Sequence, residues 1–160
     1  MLAKLLDDGI GFSVNDGRVD KYGVSKRFCD ELVGKSAMVL RPIVKEKGIE
    51  YLTCVPSLRS DIVVDFSKRL AEFLGLKFIS LLKKSDTRQQ KEMQNSSYQC
   101  GNAMKSFALL ENTTVPKKIL LVDDVVDSRW TLTACGYYLC EGGCEEVYPF
   151  ALADSSQKED

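Results

Sequence analysis

Three carboxylates and two hydroxyls lie within nine residues: Asp123, Asp124, Asp127, Ser128 and Thr131. Four apolar residues, Ile119 to Val122, run directly into the acidic pair. Val125 and Val126 follow, and then a short polar turn that leads into a helical pattern at Trp130. The order predicts a buried strand that ends in two carboxylates, followed by a loop at a helix N-terminus. Such a layout suits a ligand that carries both a phosphate and sugar hydroxyls. Loop N–H groups and the positive end of the helix dipole attract the phosphate. Carboxylates accept hydrogen bonds from the hydroxyls. The plainer alternative is a salt bridge or helix cap for each aspartate, and Asp127 or Ser128 is a good N-cap worth about 1 kcal/mol. Asp123 and Asp124 are adjacent, so a regular strand would send them to opposite faces. They converge on one ligand only if the strand has ended.

Much other chemistry is excluded. The chain has no histidine, so neither Ser-His-Asp nor Cys-His catalysis is available, nor a His-liganded metal. Six cysteines, at 29, 54, 100, 135, 140 and 144, show no two-residue metal or redox spacing. Cys140 and Cys144 around Glu141-Gly142-Gly143 give only a weak metal signal, and reduced, mostly buried thiols in a cytosolic protein are the better reading. The sequons at Asn95 and Asn112 are then accidental. A net charge of −1 gives no bulk reason to bind a polyanion. No apolar run approaches the roughly 20 residues of a membrane span, so no membrane partner is expected. The first eight residues are too acidic and too short an apolar run for a signal peptide.

The elements that must hold these groups follow from periodicity. The 160 residues suit one domain. Residues 1–24 read as a small β element, with Ile10, Phe12 and Val14 alternating before an Asn15-Asp16-Gly17 turn. Residues 25–152 read as the α/β core. Val33, Ala37, Leu40 and Val44 form a helical stripe that Pro42 should kink or end near Arg41. A strand at 49–55 follows. Asp61 is a candidate N-cap for a helix with Ile62, Phe66, Leu70 and Phe73 on one face, closed by Gly75. Further strands are expected at 76–82, 107–110, 118–123 and 147–152, with helices near 99–104 and over 130–141. Residues 153–160 read as a frayed polar tail. Alternating helices and wholly apolar strands predict a mainly parallel five-stranded sheet covered on both faces. Ligands bind beyond the carboxyl ends of such strands, where the polar loops 56–60, 83–98 and 124–131 gather.

The stretch from Ile119 to Thr131 resembles the phosphoribosyl-pyrophosphate (PRPP) binding motif of type I phosphoribosyltransferases. It departs at one position, where Arg129 replaces the usual glycine or small residue. The resemblance implies ribose hydroxyls on Asp123 and Asp124, and a 5′-phosphate held by Ser128, Arg129, Trp130 and Thr131. It makes Asp127 a candidate general acid/base. It sets Ser57, Leu58 and Arg59 in the pyrophosphate loop, and Lys83, Lys84, Arg88 and Lys91 in a mobile loop that stabilises the leaving pyrophosphate. The implied reaction displaces pyrophosphate from PRPP by a base nitrogen. Mg²⁺ would bridge pyrophosphate and ribose oxygens with no direct protein ligand. A positive φ at Arg129 would cost about 1–2 kcal/mol.

A longer resemblance covers about residues 9–152. Val55-Pro56-Ser57-Leu58-Arg59-Ser60, Asp65-Phe66, Arg69-Leu70-Ala71, Met93-Gln94-Asn95-Ser96 and Asp127-Ser128-Arg129-Trp130-Thr131 run in order. Together these are similar to the phosphoribosyltransferase-like C-terminal domain of some bacterial RecQ-family DNA helicases. That implies a longer parent chain with an ATP-dependent motor, and DNA as a partner through its helicase parts. A more distant similarity is to ComF-type competence proteins, through Thr87, Gln90, Asn102 and Phe107, which points to a free-standing transferase. A third possibility is a catalytically silent interaction module. Gly34-Lys35-Ser36 imitates the end of a P-loop, but Cys29 stands where the motif needs glycine and the segment lies in a helical pattern. The acceptor base and oligomeric state stay open, a homodimer among the options.

Overall fold

A computed structural model describes residues 27–58, 60–84, 96–127 and 129–155. The predicted N-terminal β element lies outside the described residues, as do residues 85–95 and the end of the tail. Helix α1 spans Asp30–Lys47 and buries Leu32, Val33, Ser36, Ala37, Leu40 and Val44, one continuous stripe. It continues through Pro42, so the end considered near Arg41 is not found. Proline forfeits the bond to the carbonyl four residues back, here Met38. Both residues face water, so solvent can take that carbonyl. Gly48, at φ 64, ends the helix instead, and Ile49 N–H donates back to the Val44 carbonyl at 3.0 Å. Gly34-Lys35-Ser36 is mid-helix, with the Ser36 hydroxyl bonded to the Leu32 carbonyl at 2.8 Å.

Strand β1 is Tyr51–Cys54 and helix α2 is Ile62–Leu74. The buried face of α2 is Val63, Phe66, Ser67, Leu70 and Ala71. Phe73 stays 49% exposed, so the apolar face is rotated from the expected one. Ser60, not Asp61, supplies the side-chain cap: its Oγ accepts the Ile62 N–H at 3.2 Å. The apolar run 76–82 splits in two. β2 is Lys77–Phe78, and β3, Leu82–Lys84, leaves for a different sheet. Helix α3 is Ser96–Ser106 and strand β4 is Phe107–Leu109. β5 is Lys118–Val126, α4 is Trp130–Glu141 and β6 is Glu146–Asp154.

The main sheet has the order β2-β1-β5-β6, every pair parallel. Among the described residues it has four strands where five were expected. The remaining two, β3 and β4, pair antiparallel with each other. Each face of the main sheet has its own core. On one, α1 and α2 cover Leu52, Cys54, Leu120, Val122 and Phe150. On the other, Ala134, Cys135 and Leu139 of α4 join Leu82 and Phe107 over Ile119 and Leu121. Alternate residues of β5 therefore feed alternate cores, as a strand covered on both sides requires. β6 runs through Asp154, two residues into the expected tail, because β5 also runs on and continues the ladder.

Candidate functional site

The strand order reverses between β1 and β5. From β1 the chain passes through α2 to β2 on one side; from β5 it passes through α4 to β6 on the other. In open parallel sheets the carboxyl ends of two such diverging strands border a crevice. The two loops at this crevice are those after β1 and after β5, the ones that carry most of the predicted site.

β1 and β5 end at different heights. The last β1 partner of β5 is Cys54, opposite Val122, with Val55 N–H bonded to the Val122 carbonyl at 2.9 Å. β5 continues four residues further against β6 alone. The acidic pair thus lies inside a strand, not past its end. By alternation from Leu121 and Val122, Asp123 turns to the α4 face and Asp124 to the α1–α2 face, so the expected convergence of two side chains on one side is not found. Asp123 is 8% exposed and Asp124 half-buried. Each carboxylate folds forward along the strand. Asp123 Oδ1 accepts the Asp124 N–H at 2.9 Å, and Asp124 Oδ1 accepts the Val125 N–H at 2.8 Å. Both acids therefore point along the strand toward its carboxyl end, beside the crevice.

Asp123 is felt on both sides of the sheet. Burial pushes the Cys135 thiol up to about 12; the Asp123 carboxylate adds to this and the Lys84 ammonium opposes it. Burial likewise raises Cys54 to about 11, with Asp123 again contributing. Both thiols are neutral and packed, which fits reduced core cysteines; Cys29 and Cys140 are exposed. Among the described residues no group of three or more His, Cys, Asp or Glu could hold a metal.

Three residues, 127–129, separate β5 from α4. Asp127 is exposed; Ser128 lies outside the described residues. Arg129, not Asp127, occupies the position before α4, at φ 64 and ψ −9, and makes no side-chain cap. Its carbonyl accepts from Thr133 N–H and from Thr133 Oγ1, both at 3.0 Å. The guanidinium turns toward the end of β6, with Nη2 3.8 Å from Asp154 Oδ2. Trp130 and Thr131 fill the first turn of α4, half-buried. Across the crevice Ser57 and Leu58 are exposed, and Arg59 lies outside the described residues. Lys83 and Lys84 sit on β3, outside the main sheet. Lys83 Nζ is 3.4 Å from Glu111 Oε1, and Lys84 Nζ stands 5.3 Å from the Phe107 ring centre. Asp154 was missed. It looks like polar tail, and only the register Val126↔Asp154 brings it to this turn.

No family model matches the chain. Over 83 residues it is 32% identical to the competence protein ComFC of Streptococcus pneumoniae. That match covers 52% of the chain and 37% of the relative, so the chain aligns with little more than a third of that protein. Among solved structures, adenine phosphoribosyltransferase of Saccharomyces cerevisiae, complexed with an imino-altritol bisphosphate and adenine, superposes with a TM-score of 0.54. The identity is 16%, over 78% of this chain and 66% of that one. A Trypanosoma cruzi hypoxanthine phosphoribosyl transferase gives 0.55 at 14% identity, over 79% and 73%. The fold is that of the type I phosphoribosyltransferases. It supplies the α/β class and the parallel sheet expected from the sequence. None of the described helices is long and apolar enough to cross a membrane.

Proposed function

We propose that this chain binds a 5-phosphoribosyl group, as PRPP or a nucleoside monophosphate, in the crevice between β1 and β5, and that it is a phosphoribosyltransferase-like domain of the ComF kind. One observation carries the reading: Asp123 and Asp124 stand at the strand-order reversal, on the part of β5 that outlasts β1, two residues before the turn into α4. Carboxylates there accept ribose hydroxyls, and the turn and helix start accept a phosphate. Similarity to ComFC and the type I fold support it. Ser57 and Leu58, exposed just after β1, lie at the same end of the sheet. Asp127, exposed in the turn, is the proton-transfer group in this reading.

If PRPP is a substrate, the sugar becomes positively charged as pyrophosphate leaves, and catalysis rests on position and on leaving-group charge. Lys84, whose ammonium acts on Cys135 of α4, supplies positive charge on that side, and Lys83 stands beside it on β3. Mg²⁺ bound with PRPP would supply further positive charge there, and Asp123 and Asp124 would hold it through its waters.

Calorimetry with Mg²⁺–PRPP tests this. Binding is expected, and Asp123→Asn with Asp124→Asn abolishes it. No heat at millimolar ligand rejects the reading. Binding without pyrophosphate release on any base makes the domain a sensor rather than a transferase.

A second reading rests on Asp127-Ser128-Arg129-Trp130-Thr131 and the ordered motifs upstream: a domain of a RecQ-type helicase, with DNA held by the rest of the parent chain. The reading frame around the encoding sequence decides between the two. DNA or partner binding that survives the double substitution would instead favour a silent interaction module.

A further inference from the structure

Arg129 and Asp154 meet at one place, although they come from a turn and from the far end of the last strand. Asp154 pairs in register with Val126, and its side chain is 12% exposed. Arg129 is 69% exposed and approaches that carboxylate through Nη2 alone, at 3.8 Å. Most of its fork therefore stays open. An arginine at φ 64 is strained. A pair so open to water is too weak to repay that strain fully, so stability alone does not account for arginine here. A guanidinium matches phosphate oxygens in a planar, two-pronged fashion that glycine, the usual residue at this position of the motif, cannot offer.

We propose that Asp154 is a positioning residue. It holds one arm of Arg129 so that the rest of the guanidinium, together with the N–H groups that open α4, binds the terminal phosphate of the phosphoribosyl ligand. The ligand class is a phosphate monoester, whose three terminal oxygens use both sets of donors. The inference rests on the phosphoribosyl reading above and adds to it a side-chain phosphate ligand and its support.

The test titrates the full chain with ribose 5-phosphate, and with ribose as the phosphate-free control. Asp154→Asn weakens ribose 5-phosphate by about tenfold, the loss of roughly one charge-assisted hydrogen bond, and leaves ribose unchanged. Arg129→Gln weakens it at least as much. The double variant loses no more than Arg129→Gln alone, since the two act as one unit. Asp154→Glu recovers most of the affinity, which a loss of folding at β6 would not allow. Unchanged or tighter binding by Asp154→Asn overturns the inference, as do losses that add in the double variant. Should Asp154→Asn not fold, Asp154→Glu decides: affinity fully lost with an unchanged melting temperature rejects the proposal, and near-native affinity supports it. A native chain that binds no ribose 5-phosphate rejects the phosphoribosyl reading itself. Binding that depends on Asp123 and Asp124 but not on Asp154 rejects only this inference.

Discussion

Asp123 is 8% exposed, yet its charge reaches a thiol on each face of the sheet. The carboxylate and burial act in the same direction on Cys54 and Cys135, so both stay protonated well above neutral pH. Native protein treated with iodoacetamide at pH 8 should be alkylated at Cys140 and spared at Cys54 and Cys135, as peptide mass mapping will show. Early modification of Cys135 would mean that the α4 core is open. The raised values also fix a pH dependence. Above the ordinary thiol value of 9.0, the unfolded chain releases protons that the native one keeps until about 11 and 12. The native state then binds more protons, so stability falls as pH rises. Between pH 9 and 11 the slope is about 1.4 kcal/mol per pH unit for each thiol. Replacing Cys135 by alanine should flatten that limb in urea titrations; an unchanged limb would refute the assignment.

At the scale of elements, one glycine inside α4 and one just past its end separate packing from propensity. Gly136 lies inside α4 with nothing within 4 Å of an added Cβ, whereas at Gly142 that atom would sit 2.7 Å from both Leu109 Cδ1 and Val115 Cγ2. Gly136→Ala should therefore stabilise by about 0.5–1 kcal/mol through helix propensity. Gly142→Ala should destabilise by about 1–3 kcal/mol through overpacking. Denaturation midpoints that move in the same direction would contradict this. The α1–α2 joint has a comparable anchor. Arg69 donates to Asp65 Oδ2 at 2.6 and 3.0 Å, to Asp30 Oδ1 at 2.8 Å and to the Phe28 carbonyl at 2.8 Å. Arg69→Ala should cost about 2–3 kcal/mol. Arg69→Lys should recover only part, because an ammonium cannot reproduce the fork. Full recovery would show that the charge alone matters.

These elements also show what a linear reading reaches. Helix α4 was legible from Trp130 to Glu141, because Gly142-Gly143 and the cysteine–leucine stripe are local signals. The β1 and β5 loops were legible for the same reason. The partner change inside 76–82 was not: an apolar run records burial, not which strand it pairs with. The path through Pro42 depended on water at the far side of α1. Asp154 depended on a ladder formed between residues 28 positions apart, and polar composition hid it.

At the scale of the whole molecule, the site is a junction of two halves. α1, α2, β1 and β2 hold one wall of the crevice; β5, α4 and β6 hold the other. They join along the β1–β5 pairing, Leu52↔Leu120 to Cys54↔Val122, and through the core that α1 and α2 share with Leu120, Val122 and Phe150. A ligand that touches both walls adds contacts across this junction and so favours the folded state. At a free concentration one hundred times its dissociation constant, it contributes about 2.7 kcal/mol. For a chain of this size each kcal/mol raises the melting temperature by about 2–4 °C, so saturating Mg²⁺–PRPP should raise it by about 5–10 °C. Mg²⁺ with pyrophosphate alone should raise it less, since it lacks the sugar and the 5′-phosphate that meet Asp123, Asp124 and the turn. Asp123→Asn with Asp124→Asn should melt near the native temperature without ligand and lose the ligand-induced rise. An equal rise in that variant would move the binding site away from the end of β5. An equal rise with pyrophosphate alone would leave only the β1 loop as the ligand-bearing wall.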